Sequence, residues 1–147
     1  MGIDLEKFDK AFHEWRKAFG LSVMRELSKV GLYKGQPPVL FLLDRAEKGL
    51  TQAQLAEKLS VSPASITVSL RRMEKAGLVL RSPDHQDARR NLVTITEDGR
   101  LVLKEADKRI IKIETQMLSG FSTEEAERFL NFFERSIKNL KGNEESD

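Results

Sequence analysis

The residues best suited to a chemical task in this sequence lie along one face of the segment 62–76. At 100° per residue, Ile66, Leu70 and Met73 fall within about 60° of one another and define a buried side. The opposite side carries small, hydroxylated and cationic residues, namely Ala64, Val68, Arg71 and Lys75, with Thr67, Arg72 and Ser65 at its margins. Short side chains precede the cations along this face, an order that suits a helix entering the major groove of DNA by its N-terminus.

Each type of residue on this face has a distinct use against a nucleic acid. Short residues let the helix backbone approach the base edges, where Thr67 or Ser65 can form a hydrogen bond with a base. The methyl groups of Ala64 or Val68 can pack on a thymine methyl. The guanidinium and ammonium groups that follow are suited to phosphates. The alternative is an ordinary solvated face, on which cations four residues apart repel one another mildly.

A second cluster of positive charge follows in the polar stretch 82–91. Arg89 and Arg90 lie at the tip predicted for a β-hairpin, from which an arginine can enter the negative minor groove. Asp87 has two alternative roles there, since it either orients the Arg89 guanidinium or bonds the nearby backbone in a turn. Residues 51–95 carry seven basic and four acidic side chains, the most basic third of the chain.

Local signals place the first of these clusters on a helix-turn-helix. Thr51 and Gln54 have the spacing of a capping box, which predicts the start of a short helix. After a three-residue break, Ser62 is suited to cap the next helix and Pro63 to its first position. Gly77 is the expected stop of that helix.

Beyond Gly77 the apolar pattern changes from a helical period to strict alternation. This change predicts strands at 78–81 and 92–95, joined by a ten-residue charged segment that forms a wing. We therefore expect a fold that is mainly α with a small β-hairpin, a winged helix-turn-helix.

Long amphipathic helices are predicted on either side of this unit. Apolar residues recur at steps of three and four over residues 4–29 and again on both sides of Gly120. We expect one compact unit made of an N-terminal dimerisation helix (1–34), a DNA-binding domain (35–99) and C-terminal dimerisation helices (100–147). The apolar stripes exceed what one small lobe covers, which favours a homodimer. The alternative is a monomer in which these helices pack on one another.

Composition and spacing exclude several classes of protein. The chain of 147 residues has no cysteine, which excludes disulfide frameworks, zinc fingers and thiol switches. The longest apolar run, 39–43, is far shorter than the ~20 residues that span a bilayer, and the N-terminus lacks a secretory signal. We therefore expect a cytoplasmic protein with no membrane contact. His13 and His85 are far apart, and no nucleophile–base pair or phosphate loop is present, so we expect no metal, no cofactor and no enzyme.

The ordered set of motifs resembles the MarR family of bacterial winged-helix transcriptional regulators. The stretch Glu74-Lys75-Ala76-Gly77-Leu78 leads into the first wing strand, Asp87-Ala88-Arg89 follows in the wing, and Thr96-Glu97-Asp98-Gly99 opens the next helix. The resemblance covers most of the chain. It implies a homodimeric regulator, with repression as the expected mode, that binds double-stranded DNA at a pseudo-palindromic operator.

The resemblance also implies roles for individual residues. Arg89 becomes the minor-groove arginine with Asp87 as its partner, and Ser65, Thr67 and Val68 lie on the stretch that meets bases. Val68 departs from the polar or basic residue that the family pattern leads one to expect. Together with the residues derived above, the predicted DNA-binding set is Ser62, Ala64, Ser65, Thr67, Val68, Arg71, Arg72, Lys75, Asp87, Arg89 and Arg90.

The same resemblance implies release by a small aromatic or anionic effector, bound between the dimerisation helices and the DNA-binding lobe. A regulator with no ligand of its own is the alternative. His13, Trp15, Arg16 and Tyr33 could line such a pocket. Trp15 equally suits a dimer core, Arg16 a surface and Tyr33 a loop, so the ligand-binding residues stay unassigned. A winged-helix module that contacts an acidic protein, without DNA binding, is the alternative function.

Overall fold

The structure is a computed structural model that describes residues 2–87 and 89–142. It divides into two compact units, one ending at Ile113 and one beginning at Glu114. This differs from the single compact unit that chain length predicts. Chain length takes no account of long helices whose apolar faces are exposed. The elements are α1 (Leu5–Ser28), α2 (Gln36–Asp44), β1 (Leu50–Thr51), α3 (Gln52–Leu59), α4 (Pro63–Lys75), β2 (Val79–Pro83), β3 (Asn91–Ile95), α5 (Glu97–Met117) and α6 (Thr123–Lys141).

Helix α1 carries the predicted aromatic stripe. The Asp4 carboxylate caps the helix by accepting a hydrogen bond from the backbone N–H of Lys7 at 3.0 Å. Ring centroids lie between 5.4 and 6.2 Å apart along the stacked row Phe8, Phe12, Trp15 and Phe19. Phe8 is 54 % exposed and Phe12 44 %, so a single chain leaves this end of the stripe uncovered.

A charged contact joins α1 to α5. Glu26 is only 8 % exposed, and its carboxylate accepts hydrogen bonds from Lys29 and, at 3.0 Å, from Arg109 of α5. The bond from Lys29, helped by that from Arg109, holds the pKa of the Glu26 carboxyl below its usual range although burial opposes this shift. The contact fixes one end of α1 against α5.

The helix-turn-helix forms as its capping signals predict. Thr51 and Gln54 make a reciprocal capping box at the start of α3, and Ser62 accepts a hydrogen bond from the Ser65 backbone N–H at the start of α4. Ser60 takes the left-handed conformation in the turn between them, with φ 51°. Side chains that are 0 % exposed hold the unit together, among them Leu40, Leu55, Leu70 and Met73.

A three-stranded antiparallel sheet, in the order β1-β3-β2, replaces the predicted two-stranded hairpin. Strand β1 was not predicted because its two residues, directly before a helix cap, are too few to show alternation. Strands β2 and β3 are longer than expected and pair as far as Pro83 with Asn91, so the wing loop is 84–90 rather than 82–91. Pro83 is tolerated because β2 is an edge strand, where a missing N–H costs no ladder bond.

Gly99 lets α5 approach the start of the hairpin closely. A Cβ atom at this position would lie 2.2 Å from the carbonyl oxygen of Leu78. The same oxygen accepts a hydrogen bond from the Thr96 backbone N–H at 3.0 Å, and the Thr96 hydroxyl accepts one from the Gly99 N–H at 3.0 Å. The Thr-x-x-Gly spacing thus combines a helix cap with a close backbone contact.

Helix α6 begins at a second capping box, formed by Ser122 and Glu125. None of the residues of α6 is buried in the single chain. The exposed fractions of its large apolar side chains are 57 % for Leu130, 60 % for Phe132, 39 % for Phe133, 43 % for Ile137 and 74 % for Leu140.

Candidate nucleic-acid interface

The outward face of α4 is the one that helical periodicity predicts. Ile66 is 2 % exposed, and Leu70 and Met73 are 0 % exposed. The opposite face is open to solvent along its length, with Val68 51 % exposed at its middle. The other exposed residues of this helix that belong to the predicted DNA-binding set are Ala64, Ser65, Arg71, Arg72 and Lys75.

The serines at the start of α4 are partly occupied by capping. The Ser62 side-chain oxygen accepts a hydrogen bond from the Ser65 backbone N–H at 3.2 Å. The two side-chain oxygens also lie 2.9 Å apart and share a hydrogen bond. Both residues are exposed, so each oxygen retains capacity for a further partner.

Thr67 is half-buried and its hydroxyl is already engaged. It donates to the Pro63 carbonyl oxygen at 2.8 Å and accepts a hydrogen bond from Nε2 of Gln52. A hydroxyl has one proton and two lone pairs, so Thr67 can still accept one bond but has no proton left for a base. Periodicity gave no sign of this, because Gln52 lies fifteen residues away along the chain.

The contact of Thr67 belongs to a chain of side chains that joins α4 to the wing strand β2. Arg81 Nη1 donates to Oε1 of Gln52 over 3.4 Å, and Arg81 Nε lies 3.1 Å from Oε2 of Glu74. Arg81 can only donate, and Thr67 accepts because its one proton is donated to Pro63, which fixes the orientation of the Gln52 amide between them. The contacts among Gln52, Glu74 and Arg81 were not predicted from the sequence, where a lone arginine in a short strand was the available signal.

The chain of contacts also determines the charge of the exposed face. Glu74 is the only acidic residue of α4. Its carboxylate pairs with Arg81 of β2 at 3.1 Å. Among the described residues, no ion pair involves Arg71, Arg72 or Lys75, so the positive charge of this face remains available to an external anion.

The wing loop is stapled by hydrogen bonds between its own residues. The Asp84 backbone N–H donates to the Arg90 carbonyl oxygen at 2.8 Å, and the Arg90 N–H donates to the Asp87 carbonyl oxygen at 2.9 Å. The Asp87 carboxylate accepts from the Arg89 backbone N–H at 3.0 Å, which is the turn role among its two alternatives. Arg89 and Arg90 are exposed at this tip, and Ala88 between Asp87 and Arg89 lies outside the described residues.

The residues considered for an effector are dispersed. His13 and Arg16 are exposed on α1 and Trp15 is half-buried in the aromatic row. A mainly apolar cavity of about 420 Å³ instead lies between α1, α2 and α5, and none of these three residues lines it. Its lining includes Val23, Leu27, Lys34, Phe41, Leu103 and Asp107. Tyr33 is 61 % exposed and contacts Arg72 of α4, on a different cleft.

Among residues 2–87 and 89–142, no three His, Asp or Glu side chains come together as a potential metal site. Across the same residues, no helix combines the length and apolar character needed to cross a bilayer.

Comparison with known proteins identifies this arrangement. The MarR family model matches residues 32–90. The transcriptional regulator HosA of Escherichia coli is 33 % identical over 131 residues, which cover 88 % of this chain and 96 % of HosA. The structure of YusO from Bacillus subtilis superposes with a TM-score of 0.79 at 19 % identity, covering 91 % of this chain and 94 % of YusO. The DNA complex of MepR from Staphylococcus aureus gives 0.72 at 22 % identity, covering 90 % and 97 %.

The fold and the exposed basic helix beside a wing define a winged helix-turn-helix protein. The chain belongs to the MarR family and is a transcriptional regulator, not an enzyme.

Proposed function

We propose that this chain is a repressor that binds double-stranded DNA as a homodimer and is released by a small-molecule effector. The observation that carries DNA binding is the uncompensated positive charge of the exposed face of α4, next to a wing loop with two exposed arginines. Helix α4 occupies the major groove, and Arg89 reaches the adjacent minor groove. This reading places the protein in the cytoplasm, with the DNA.

Within α4, direct base contact falls mainly to the centre of the exposed face. Ala64 and Val68 offer methyl groups for a thymine, and Ser65 offers a hydroxyl. Thr67 contributes at most one accepted hydrogen bond, because its proton is donated to Pro63. Arg71, Arg72 and Lys75 supply the phosphate contacts that set position rather than sequence.

A homodimer accounts for the apolar surface that the single chain leaves open. The aromatic end of α1 and the apolar face of α6 are both exposed, far beyond the scattered apolar residues of an ordinary surface. A second copy of the chain has the same stripes and can bury them in a two-fold interface. Such a dimer reads a pseudo-palindrome with half-sites about 34–36 Å apart.

The effector is assigned to the cavity between α1, α2 and α5. Its volume of about 420 Å³ is in the range of small-ligand sites, and its walls are mainly apolar. Lys34 at this cavity provides a cation for a carboxylate or phenolate, and Asp107 in the same lining opposes an anion bound close to it. Because α1 belongs to the predicted dimerisation helices and α2 to the DNA-binding unit, a ligand here can change the spacing of the two copies of α4.

The test of the proposal is fluorescence anisotropy with the full chain and labelled duplexes. We expect affinity for random DNA at low salt and tighter binding to the promoter beside the protein's own gene. Benzoate, as a simple aromatic anion, should raise the melting temperature of the free protein and weaken promoter binding. Absence of duplex affinity at low salt would refute DNA binding and favour a winged-helix protein-contact module. A promoter reporter that rises with the protein instead of falling would refute repression.

A further inference from the structure

A second cleft lies beside α4, at the margin of the helix that carries Arg72. Its volume is about 460 Å³, and its lining includes Tyr33, Gln36, Arg72, Lys75, Ala76 and Leu78. The two cations and the phenol are the groups in this lining that can bind an anion, and no carboxylate side chain is among its lining residues in the described part of the chain. The cleft is thus a concave, positively charged surface next to the outward face of α4.

Tyr33 holds its place in the loop between α1 and α2. Its backbone N–H donates to Oε1 of Gln36 at 2.9 Å, and Gln36 is only 4 % exposed. The Tyr33 ring lies under the guanidinium of Arg72, with 5.4 Å from the guanidinium carbon to the ring centroid. The ring attracts the cation and limits its orientations, while the guanidinium N–H groups remain free to donate elsewhere.

The two margins of α4 contact different parts of the protein, and in a DNA major groove each margin would face a different phosphate backbone. Thr67 and Arg72 are five residues apart, which corresponds to about 140° around a helix. The Thr67 margin contacts Gln52 and, through it, the wing strand, whereas the Arg72 margin contacts Tyr33. The exposed face between them therefore has the wing on one side and the cleft on the other. A helix in the major groove has a phosphate backbone on each side.

We propose that this cleft binds one phosphate of the DNA backbone, on the side of α4 opposite the wing. Arg72 and Lys75 are the cationic ligands of this single phosphate, and the Tyr33 hydroxyl is a third, neutral donor. The proposal rests on the DNA binding proposed above and assigns Tyr33 to the backbone interface instead of an effector pocket.

The salt dependence of duplex binding tests whether both cations share a phosphate. Each neutralised phosphate contributes a slope of about −0.9 to log K against log salt concentration, or about −1.8 when both chains of a dimer are engaged. Arg72→Gln and Lys75→Gln singly leave one cation at the phosphate, so each should change the slope by well under that amount. The double variant should lose the full amount. The control is Lys104→Gln with Lys108→Gln, which removes two charges outside the cleft.

The outcomes separate this proposal from the broader one. If the double variant keeps the wild-type slope, the cleft contacts no phosphate and the inference is overturned. If each single variant already loses the full amount and the double variant loses twice as much, two phosphates are bound and the shared site is overturned. If the wild type has no duplex affinity at all, the proposed function itself fails.

Tyr33 offers an independent measurement because it is the only tyrosine of the chain. Fluorotyrosine labelling therefore places fluorine at Tyr33 alone. Its NMR resonance should shift when duplex is added to the wild type and should not shift when duplex is added to the double variant. Tyr33→Phe keeps the ring and should weaken duplex binding without changing the slope; unchanged affinity would remove the hydroxyl from the site. Inorganic phosphate distinguishes a free-anion site: a shift with millimolar phosphate and none with duplex would overturn backbone binding.

Discussion

Gly99→Ala is the sharpest test of how the wing is attached to the rest of the molecule. The added Cβ would lie 2.2 Å from the Leu78 carbonyl oxygen and 2.7 Å from Cγ1 of Ile95. The backbone oxygen cannot rotate away, and ordinary contact at about 3.4 Å or more requires a displacement on the order of 1 Å. Leu78 directly precedes β2, so this displacement reaches the base of the wing.

The magnitude follows from three opposing contributions. Alanine in a helix is favoured over glycine by about 1 kcal/mol. Overpacking typically costs about 1–3 kcal/mol, and weakening the hydrogen bond from the Thr96 N–H to the displaced Leu78 oxygen costs about 1 kcal/mol more. The expected net loss is about 1–3 kcal/mol of unfolding free energy, which lowers the melting temperature by roughly 3–10 °C for a chain of this size.

The assay is thermal unfolding followed by circular dichroism, at one fixed protein concentration because a dimer melts in a concentration-dependent way. Gly20→Ala is the matched control, since a Cβ on this α1 glycine meets no described atom beyond its own stretch of helix within 4 Å. The control should melt at or above the wild-type temperature. If Gly99→Ala does the same, the close contact between α5 and Leu78 is not a constraint and our explanation of the Thr-x-x-Gly spacing fails.

Four further outcomes are expected. Arg89→Ala should weaken binding to every duplex and flatten the salt slope by about 0.9 per chain if the guanidinium lies on a phosphate; unchanged affinity would contradict the role of the wing. Thr67→Ser should bind DNA as the wild type does. Thr67→Val should lose about 1 kcal/mol of binding free energy equally on all operator variants in anisotropy titrations. A loss confined to one base position would show that Thr67 contacts a base. Trp15→Ala should cost the dimer about 3–5 kcal/mol if its ring is interface core, as measured by sedimentation and melting; an unaltered dimer would show that the ring is not part of it. Glu26→Gln should remove a stabilisation that is fully present above pH 4.5, the ordinary carboxyl pKa, and is lost as pH falls through the lowered pKa of the folded state. Melting curves of both proteins should therefore converge in acid, and a constant difference would show that Glu26 does not act through its charge.

The parts of the fold that local patterns encode were predictable. The buried side of α4, the caps at Thr51 and Ser62 and the position of the wing follow from periodicity and side-chain chemistry within a few residues. Strand β1 has two residues and forms only because β3 passes beside it, so nothing within its own sequence indicates a strand. The predicted wing strands are too short for a similar reason. Proline favours a turn, and only the position of β2 at the edge of the sheet, which the sequence does not show, allows Pro83 to belong to a strand.

The candidate site was predictable as a surface but not as a set of contacts. The exposure of Val68 and Lys75 follows from the helical repeat. The engagement of Thr67 depends on Gln52 and Arg81, which tertiary folding brings together from different elements. The pairing of Glu74 with β2 and of Tyr33 with Arg72 has the same origin. Long-range pairs of polar side chains leave no periodic signal in one sequence.

The chain of contacts from Glu74 through Arg81 and Gln52 to Thr67 joins α4 to the hairpin. These residues are distinct from those at the centre of the exposed face of α4. Helix and hairpin are locked together by residues on one margin, while Ala64 and Val68 make no contribution to that lock. If α4 reads DNA as proposed, substitutions at these two positions change which operator is preferred without weakening the contacts between helix and hairpin.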